Sequence, residues 1–280
     1  MLNAAKRSIK QAIAREIVSI FNDAARGEKP VTRRQDGLFG PRSVAWRVHG
    51  DVTTMMIGGV SGLLLQMLHP AVLAGVWDHS NFRTDMHGRL RRTARFIALT
   101  TYGGRSEAEA AIAHVCAIHA TIGGEAADGA PYRADDPALL AWVHVTEVMG
   151  FLSAWIRYVE PRMPRAEQDR YFAEVGQIAT ALGADPVPRD RAGAERLVGE
   201  MRDELRADHR TREVASLLLG QRADKALMEP FLAITMRAGV DLLPDWARHM
   251  HGLNLSPIKS QAVRAGASGI ARTLRWVFLR

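Results

Sequence analysis

The sequence predicts an all-α protein that folds as one globular domain with a buried pocket. Residues with high helix propensity, above all Ala, Leu, Arg and Glu, dominate the chain. Apolar residues recur at the three- and four-residue spacing of a helix face, and no succession of alternating β-branched segments indicates a sheet. A chain of 280 residues is long enough to bury a substantial hydrophobic core.

The composition excludes several classes of protein. With 47% hydrophobic and 24% charged residues and a net charge of +7, the chain has an ordinary globular composition, which excludes wholesale disorder. A single cysteine, Cys116, excludes a disulfide framework and any cysteine-built metal cluster, but ten histidines remain as possible ligands. The aromatic residues form no stacking platform, so we expect no nucleic-acid partner. No secretory signal is visible, and we expect a cytoplasmic protein.

The helices are predicted in order along the chain. The first, over 4–24, carries four basic residues among apolar ones. It is interpreted as a helix that packs on the domain, with a basic amphipathic helix on an anionic membrane as the alternative. Ser106 is the predicted N-cap of one later helix, and Asp136 and Pro137 open the next. The later helices are predicted at 51–68, 70–78, 86–102, 106–122, 136–160, 164–182, 189–208, 211–220, 224–240 and 256–278. The stretch 183–190 is a candidate linker.

Residues 55–76 carry no formal charge and are long enough to cross a bilayer. Pro70 breaks helical hydrogen bonding within this segment, and His69 and Gln66 are polar. We therefore favour two buried core helices that meet at a polar point over a transmembrane span. His69 is interpreted either as a structural hydrogen-bonding residue or as a polar residue that faces a cofactor pocket. Three glycines leave a smooth face for another helix or a flat ligand: Gly58, Gly59 and Gly62.

A basic run follows in the helix predicted over 86–102. Arg89, Arg92, Thr93 and Phe96 are spaced to share one face of that helix. Guanidinium groups beside a hydroxyl and an aromatic ring are costly to bury unless an anionic or polar group lies there. A carboxylate-bearing cofactor, an oxygen ligand or a buried acid would meet that need, and a solvated basic face is the alternative.

Three histidines on apolar helices are candidate ligands or core residues. His114 and His119 are five residues apart, hence about 140° apart around a helix, so one helix cannot direct both to one metal. His119 has small apolar neighbours, which suits an axial haem ligand and equally a core histidine. His144 lies near Trp142, with Glu147 three residues later. No paired glutamate–histidine motif predicts a diiron site.

Several motifs, taken in order, resemble those of a known family. The resemblance covers about residues 45 to 250, and the segment 69–144 carries most of its specificity. The motifs are Arg47-Val-His49-Gly50, Leu64-Leu-Gln66, His69-Pro70, His79-Ser80-Asn-Phe82, Arg89-Leu-Arg-Arg-Thr93, Tyr102-Gly103, His119, Tyr132-Arg-Ala-Asp-Asp-Pro-Ala-Leu-Leu-Ala-Trp142-Val-His144 and Leu243-Pro244-Asp-Trp246. They resemble those of the bacterial and fungal helical proteins that include the latex clearing protein (rubber oxygenase) and the oxygenase MpaB.

The resemblance implies a globin-reminiscent domain that holds a b-type haem without covalent attachment. In the rubber oxygenase branch, dioxygen at the haem cleaves an isolated carbon–carbon double bond. His119 matches the proximal iron ligand, and Arg89 and Thr93 match an arginine and a threonine near the distal side. Arg92 stands where the rubber enzyme has a lysine that can cap the iron, a role for which a guanidinium is poorly suited. Asp78 is the one candidate for the catalytic carboxylate of that branch.

From this resemblance we expect a haem-b oxygenase that uses dioxygen or peroxide on an apolar small molecule or a lipid-like substrate. His119 would ligate the iron, with His144 as its rival, and His69 and Arg89 would also face the cofactor. The alternative is a non-catalytic haem- or lipid-binding carrier or sensor. The expected organisation is an N-terminal helix and connection (1–44), the haem domain (45–250) and a basic C-terminal helix packed on it (251–280). The terminal helices are candidates for peripheral membrane contact. The oligomeric state is left open.

Overall fold

Twelve α-helices and one short hairpin form the described part of the chain, which in this computed structural model comprises residues 27, 29–223 and 225–278. Strands β1 (Gly123–Glu125) and β2 (Pro131–Arg133) pair antiparallel, and two 3-10 turns lie at Met201–Glu204 and Ala226–Met228. The helices are α1 (Val44–His49), α2 (Val52–Gln66), α3 (Pro70–His79), α4 (Met86–Tyr102), α5 (Arg105–His119), α6 (Pro137–Tyr158), α7 (Arg165–Leu182), α8 (Arg191–Glu200), α9 (His209–Leu219), α10 (Glu229–Leu242), α11 (Asp245–His251) and α12 (Pro257–Phe278).

The predicted all-α class and single domain are confirmed, and most helices lie where the sequence places them. The helix predicted over 4–24 lies outside the described residues. Asp136 caps α6 by accepting two backbone N–H bonds, as predicted. The predicted N-cap at Ser106 is wrong, because Gly104 occupies that position and the Glu107 carboxylate accepts its N–H at 2.9 Å. The short helices α1 and α11 and the hairpin were not predicted.

Helices α2 and α6 form the centre of the fold and touch through their backbones. A Cβ atom on Gly58 would lie 2.7 Å from the carbonyl carbon of Gly150, and one on Gly62 would lie 3.1 Å from the Cα of Glu147. Only glycine permits such an approach. The predicted smooth face is therefore a helix–helix contact at Gly58 and Gly62.

The uncharged segment 55–76 is broken at Pro70, as its sequence predicts. Helices α2 and α3 meet there at an angle of 105°, with His69 as the buried N-cap residue and Pro70 as the first residue of α3. Among the described helices, α6 is the one that is long and apolar enough to cross a membrane by itself. Buried residues make up 61% of its most apolar window, which is typical of a core helix.

The C-terminal helix α12 packs on α10 through small and apolar residues. Two of its arginines reach buried acids: Arg264 lies 2.7 Å from Asp241, and Arg275 lies 2.7 Å from Asp51, the N-cap residue of α2. Arg157 of α6 also binds Asp241, at 2.9 Å. The stretch 183–190, a candidate linker by sequence, connects α7 with α8 within the one domain.

Candidate active-site cavity

A cavity of about 440 Å³ lies between α2, α4 and α10 and reaches α6 at its floor. This volume falls within the range of about 300–1,000 Å³ that is usual for small-molecule sites. The cavity follows α2 from Val52 to Gln66 and α4 from His87 to Tyr102. The wall opposite α4 is apolar, since it is built from Met55, Val60, Leu63, Phe231, Leu232 and Met236.

Helix α4 forms the other wall and is anchored at its two ends. Its buried residues are Met86 at the start and Thr100 to Tyr102 at the end. The Asp85 carboxylate caps the first turn by accepting the N–H of Gly88 at 2.8 Å, and the Tyr102 hydroxyl donates to the carbonyl of Trp46 at 3.2 Å. The middle of α4 faces the cavity with polar and basic side chains, which include Arg89, Arg91, Thr93 and Arg95.

Arg89 is a largely enclosed cation. Its Nη1 donates to the Ser80 hydroxyl at 2.9 Å, and among the described residues no carboxylate pairs with it. Burial, and secondarily the charge of Arg92, lowers the pKa of Arg89 to about 10, so it remains charged near neutrality. A desolvated cation with only a hydroxyl partner is costly, and an anionic or strongly polar ligand would offset that cost.

The predicted companions of Arg89 divide between the cavity and the surface. Thr93 lines the cavity, and its hydroxyl donates to the carbonyl of Arg89 at 3.3 Å. Arg92 lies on the exposed side, where it binds Asn81 at 2.9 Å and Asp85 at 3.3 Å. The shared face predicted by spacing is thus correct for Arg89 and Thr93, whereas the acid at the helix N-cap holds Arg92 away from the cavity.

Glu147 projects from α6 into the floor of the cavity. Within the part of the chain that the structure describes, its carboxyl group makes no hydrogen bond or ion pair, and burial raises its pKa to about 7. Such a group exchanges a proton near neutral pH. The sequence predicted no role for Glu147 beyond its position three residues after His144. A usable signal was present, because Glu147 is the one charged residue in the apolar run 137–156.

His49 also lines the cavity, and both of its ring nitrogens are hydrogen-bonded. Its Nδ1 lies 2.8 Å from the Thr101 hydroxyl and its Nε2 lies 2.8 Å from the Tyr171 hydroxyl. Burial lowers the pKa of His49 to about 3, so its imidazole is neutral. One ring nitrogen therefore donates and the other accepts, and the chain Thr101–His49–Tyr171 braces this end of the cavity.

The part of the chain that builds this cavity matches a known protein family. Residues 46–276 match the family described as ER-bound oxygenase mpaB/B'/Rubber oxygenase, catalytic domain. The chain belongs to this family. The resemblance inferred from the motifs is confirmed, and the match extends past residue 250 into α12. Searches of the curated proteins and of the solved structures gave no significant match.

The three histidines predicted to serve a haem in this mpaB/rubber oxygenase domain lie outside the described lining of the cavity. The buried His69 ring lies 3.3 Å from the Glu204 carboxylate, and burial lowers its pKa. His144 is enclosed with its Nε2 unpartnered among the described residues, and burial lowers its pKa to about 4. The half-buried ring of His119 makes no hydrogen bond to a described residue, and burial lowers its pKa as well.

The described lining of the cavity contains no histidine with both ring nitrogens free for a haem iron. Of the histidines in its lining, His49 has both nitrogens engaged, and the Nε2 of His87 is bonded to the carbonyl of Arg222 at 3.2 Å. Neutral rings with an unpartnered nitrogen suit iron, and among the described residues these include His119, His144 and the Nδ1 atom of His69. Among the described residues no cluster of three or more His, Cys, Asp or Glu side chains could hold a metal ion. The cavity therefore suits a substrate better than an iron.

Proposed function

We propose that the protein is an oxygenase that acts on an apolar or lipid-like substrate held in the cavity. The observation that carries this proposal is one cavity with a long apolar wall, an enclosed Arg89 and a buried Glu147, within the catalytic domain of an oxygenase family. Apolar walls with a few convergent polar groups and a residue of perturbed pKa are typical of active sites.

Each polar residue in the cavity has a distinct proposed role. Arg89 and Thr93 polarise an oxygen atom of the reacting species or hold an anionic group, because a guanidinium supplies several donors in a fixed plane. Glu147 holds or releases a proton, since both of its protonation states are accessible near pH 7. The chain from Thr101 through His49 to Tyr171 keeps the neighbouring wall rigid.

We further propose haem b as the iron cofactor, which His119 would hold through a ring nitrogen, with His144 as its rival. A bound haem would supply the activation of dioxygen or peroxide that the family's chemistry requires. His119 is favoured because its ring is neutral and makes no hydrogen bond to a described residue, and because it matches the proximal ligand in the family resemblance. His69 and Arg92 hold Glu204 and Asp85 respectively, which makes them supporting residues in this proposal.

An absorption spectrum tests the cofactor. Protein expressed with ample haem should show a Soret band, and His119→Ala should abolish it or leave weakly bound haem. His144→Ala should retain the band, since the outcome depends on the direct bond to iron. A reversed pattern would move the ligand to His144. A preparation without a Soret band would refute the haem proposal.

Oxygen consumption separates an enzyme from the alternative, a non-catalytic haem- or lipid-binding carrier or sensor, which the apolar cavity also favours. A substrate that raises dioxygen uptake identifies catalysis, and binding without uptake identifies a carrier. Arg89→Ala and Thr93→Ala should leave the haem content intact while they reduce uptake. Loss of haem in both variants, with the fold preserved, would show instead that these residues hold the cofactor.

We also propose a cytoplasmic location with peripheral membrane contact. The support is the surface of α12, which is basic and exposes Ile258 at one end and Trp276 at the other. Sedimentation with anionic vesicles tests this contact, and protein that stays in the supernatant at low salt would refute it.

A further inference from the structure

We infer that the cavity takes a long-chain monocarboxylate, with the carboxylate bound at Arg89 and the alkyl chain laid along the apolar wall of α2 and α10. This inference rests on the proposed function, whose substrate class it narrows. It also explains why one wall of the cavity is basic while the opposite wall is apolar.

The charges in the cavity favour an anion. In its described lining, Arg89 is an enclosed cation with no carboxylate partner among the described residues, and Glu147 is the one acid. Because Glu147 is itself partly protonated at neutral pH, it compensates little of that positive charge. A neutral lipid in the same place would leave the charge of Arg89 without a counterion and further desolvated.

Arg89 is the specific anchor because it is an enclosed cation with unused hydrogen-bond donors. Its one hydrogen-bond partner among the described residues is the Ser80 hydroxyl, which leaves the remaining guanidinium donors for a ligand. A planar guanidinium binds a carboxylate through two parallel hydrogen bonds. One enclosed cation matches a single negative charge better than the double charge of a phosphate monoester.

The shape of the cavity suits a chain. It follows α2 over 52–66 and α4 over 87–102, and at about 1.5 Å rise per residue each helix contributes about 20 Å of wall. Methionine is frequent in the apolar wall and adapts to flexible ligands because its side chain is unbranched. These residues are Met55, Met56, Met228 and Met236.

Binding of palmitate, compared with that of hexadecanol and of hexadecyl phosphate, tests the inference on the purified full-length protein. Palmitate should bind at least about tenfold more tightly than hexadecanol, because a hydrogen bond to a charged group adds that much affinity or more. Equal affinity for the acid and the alcohol would overturn the inference. Tighter binding of hexadecyl phosphate than of palmitate would also overturn the assignment to carboxylates.

Variants of Arg89 locate the anchor. Arg89→Met should lower the affinity for palmitate to that for hexadecanol. The affinity for hexadecanol itself should not change, which would show that the cavity is intact. Arg89→Lys keeps the charge but not the planar fork and should recover part of the preference. Arg165→Met, at an exposed position of α7, is the matched control and should keep the full preference. A preference that survives in Arg89→Met would refute the anchor.

These binding measurements are independent of the haem spectrum. Palmitate preference in a protein that shows no Soret band would support the carboxylate site and refute the haem oxygenase. A Soret band with substrate-dependent oxygen uptake, but without palmitate preference, would support the oxygenase and refute the carboxylate site.

Discussion

Replacing Glu147 with glutamine should stabilise the protein above about pH 4.5, by an amount that grows until about pH 7. Burial raises the pKa of Glu147 from 4.5 to about 7. Since one pKa unit corresponds to about 1.4 kcal/mol, the ionised form in the folded protein costs about 3 kcal/mol relative to the unfolded chain. A glutamine side chain is nearly isosteric with glutamate and uncharged at every pH, and would therefore avoid that cost.

The sign of the effect follows from proton linkage. Below pH 4.5 Glu147 is protonated in both the folded and the unfolded states, so the free energy of unfolding does not depend on its titration. Between pH 4.5 and 7 the unfolded chain loses this proton while the folded protein keeps it, and stability falls. Above pH 7 both states are ionised, and the full cost of about 3 kcal/mol persists.

Urea unfolding followed by circular dichroism at about pH 4.5, 6 and 8 measures this effect. The free-energy difference between Glu147→Gln and the wild type should be near zero at about pH 4.5 and should grow to about 3 kcal/mol in favour of the variant at about pH 8. The control is Glu125→Gln, an exposed position on β1, which should show no such growth. A difference that is independent of pH, or a variant that is less stable under alkaline conditions, would refute a buried Glu147 carboxyl.

Three further substitutions test the framework around the cavity by the same unfolding measurement. Gly150→Ala should destabilise by about 1–3 kcal/mol or more, because its methyl group would collide with the carbonyl of Gly58, and an unchanged stability would contradict this contact. Asp241→Ala should cost about 1.5–3 kcal/mol, because Arg157 loses a charged hydrogen-bond partner while it stays partly solvated, and an unchanged stability would count against that network. Asp136→Ala removes the cap of α6 and should cost about 1 kcal/mol, whereas Asp136→Asn should retain most of the stability.

Local sequence signals predicted the helices well because caps and breaks act on neighbouring residues. Asp136 and Pro137 define the start of α6, and Pro70 defines the break after α2, without help from distant parts of the chain. The prediction of Ser106 as the N-cap was wrong because the helix begins earlier, after the two glycines that precede it. The Glu107 carboxylate accepts the N–H of Gly104 and stabilises that earlier start. When two N-cap signals of similar strength lie close together, the sequence alone does not determine where the helix begins.

The residues that line the cavity were harder to predict, because they depend on which face of each helix borders the cavity. Helix α4 is amphipathic, so the spacing of Arg89 and Thr93 was sufficient to place them together. Helix α6 is apolar nearly all round, and its periodicity does not tell which side carries Glu147 toward the cavity. The role of His49 depends on Thr101 and Tyr171, which are 52 and 122 residues away in the chain.

The glycine contact between α2 and α6 has a consequence for how a ligand enters. Backbones in direct contact leave no side chains to rearrange, so the floor and the apolar wall behave as one rigid body. Helix α4 is less deeply buried, since its buried residues lie at its two ends and Leu90 and Ile97 in its middle are only partly buried against the core. A bulky ligand should therefore displace α4 more readily than it separates α2 from α6.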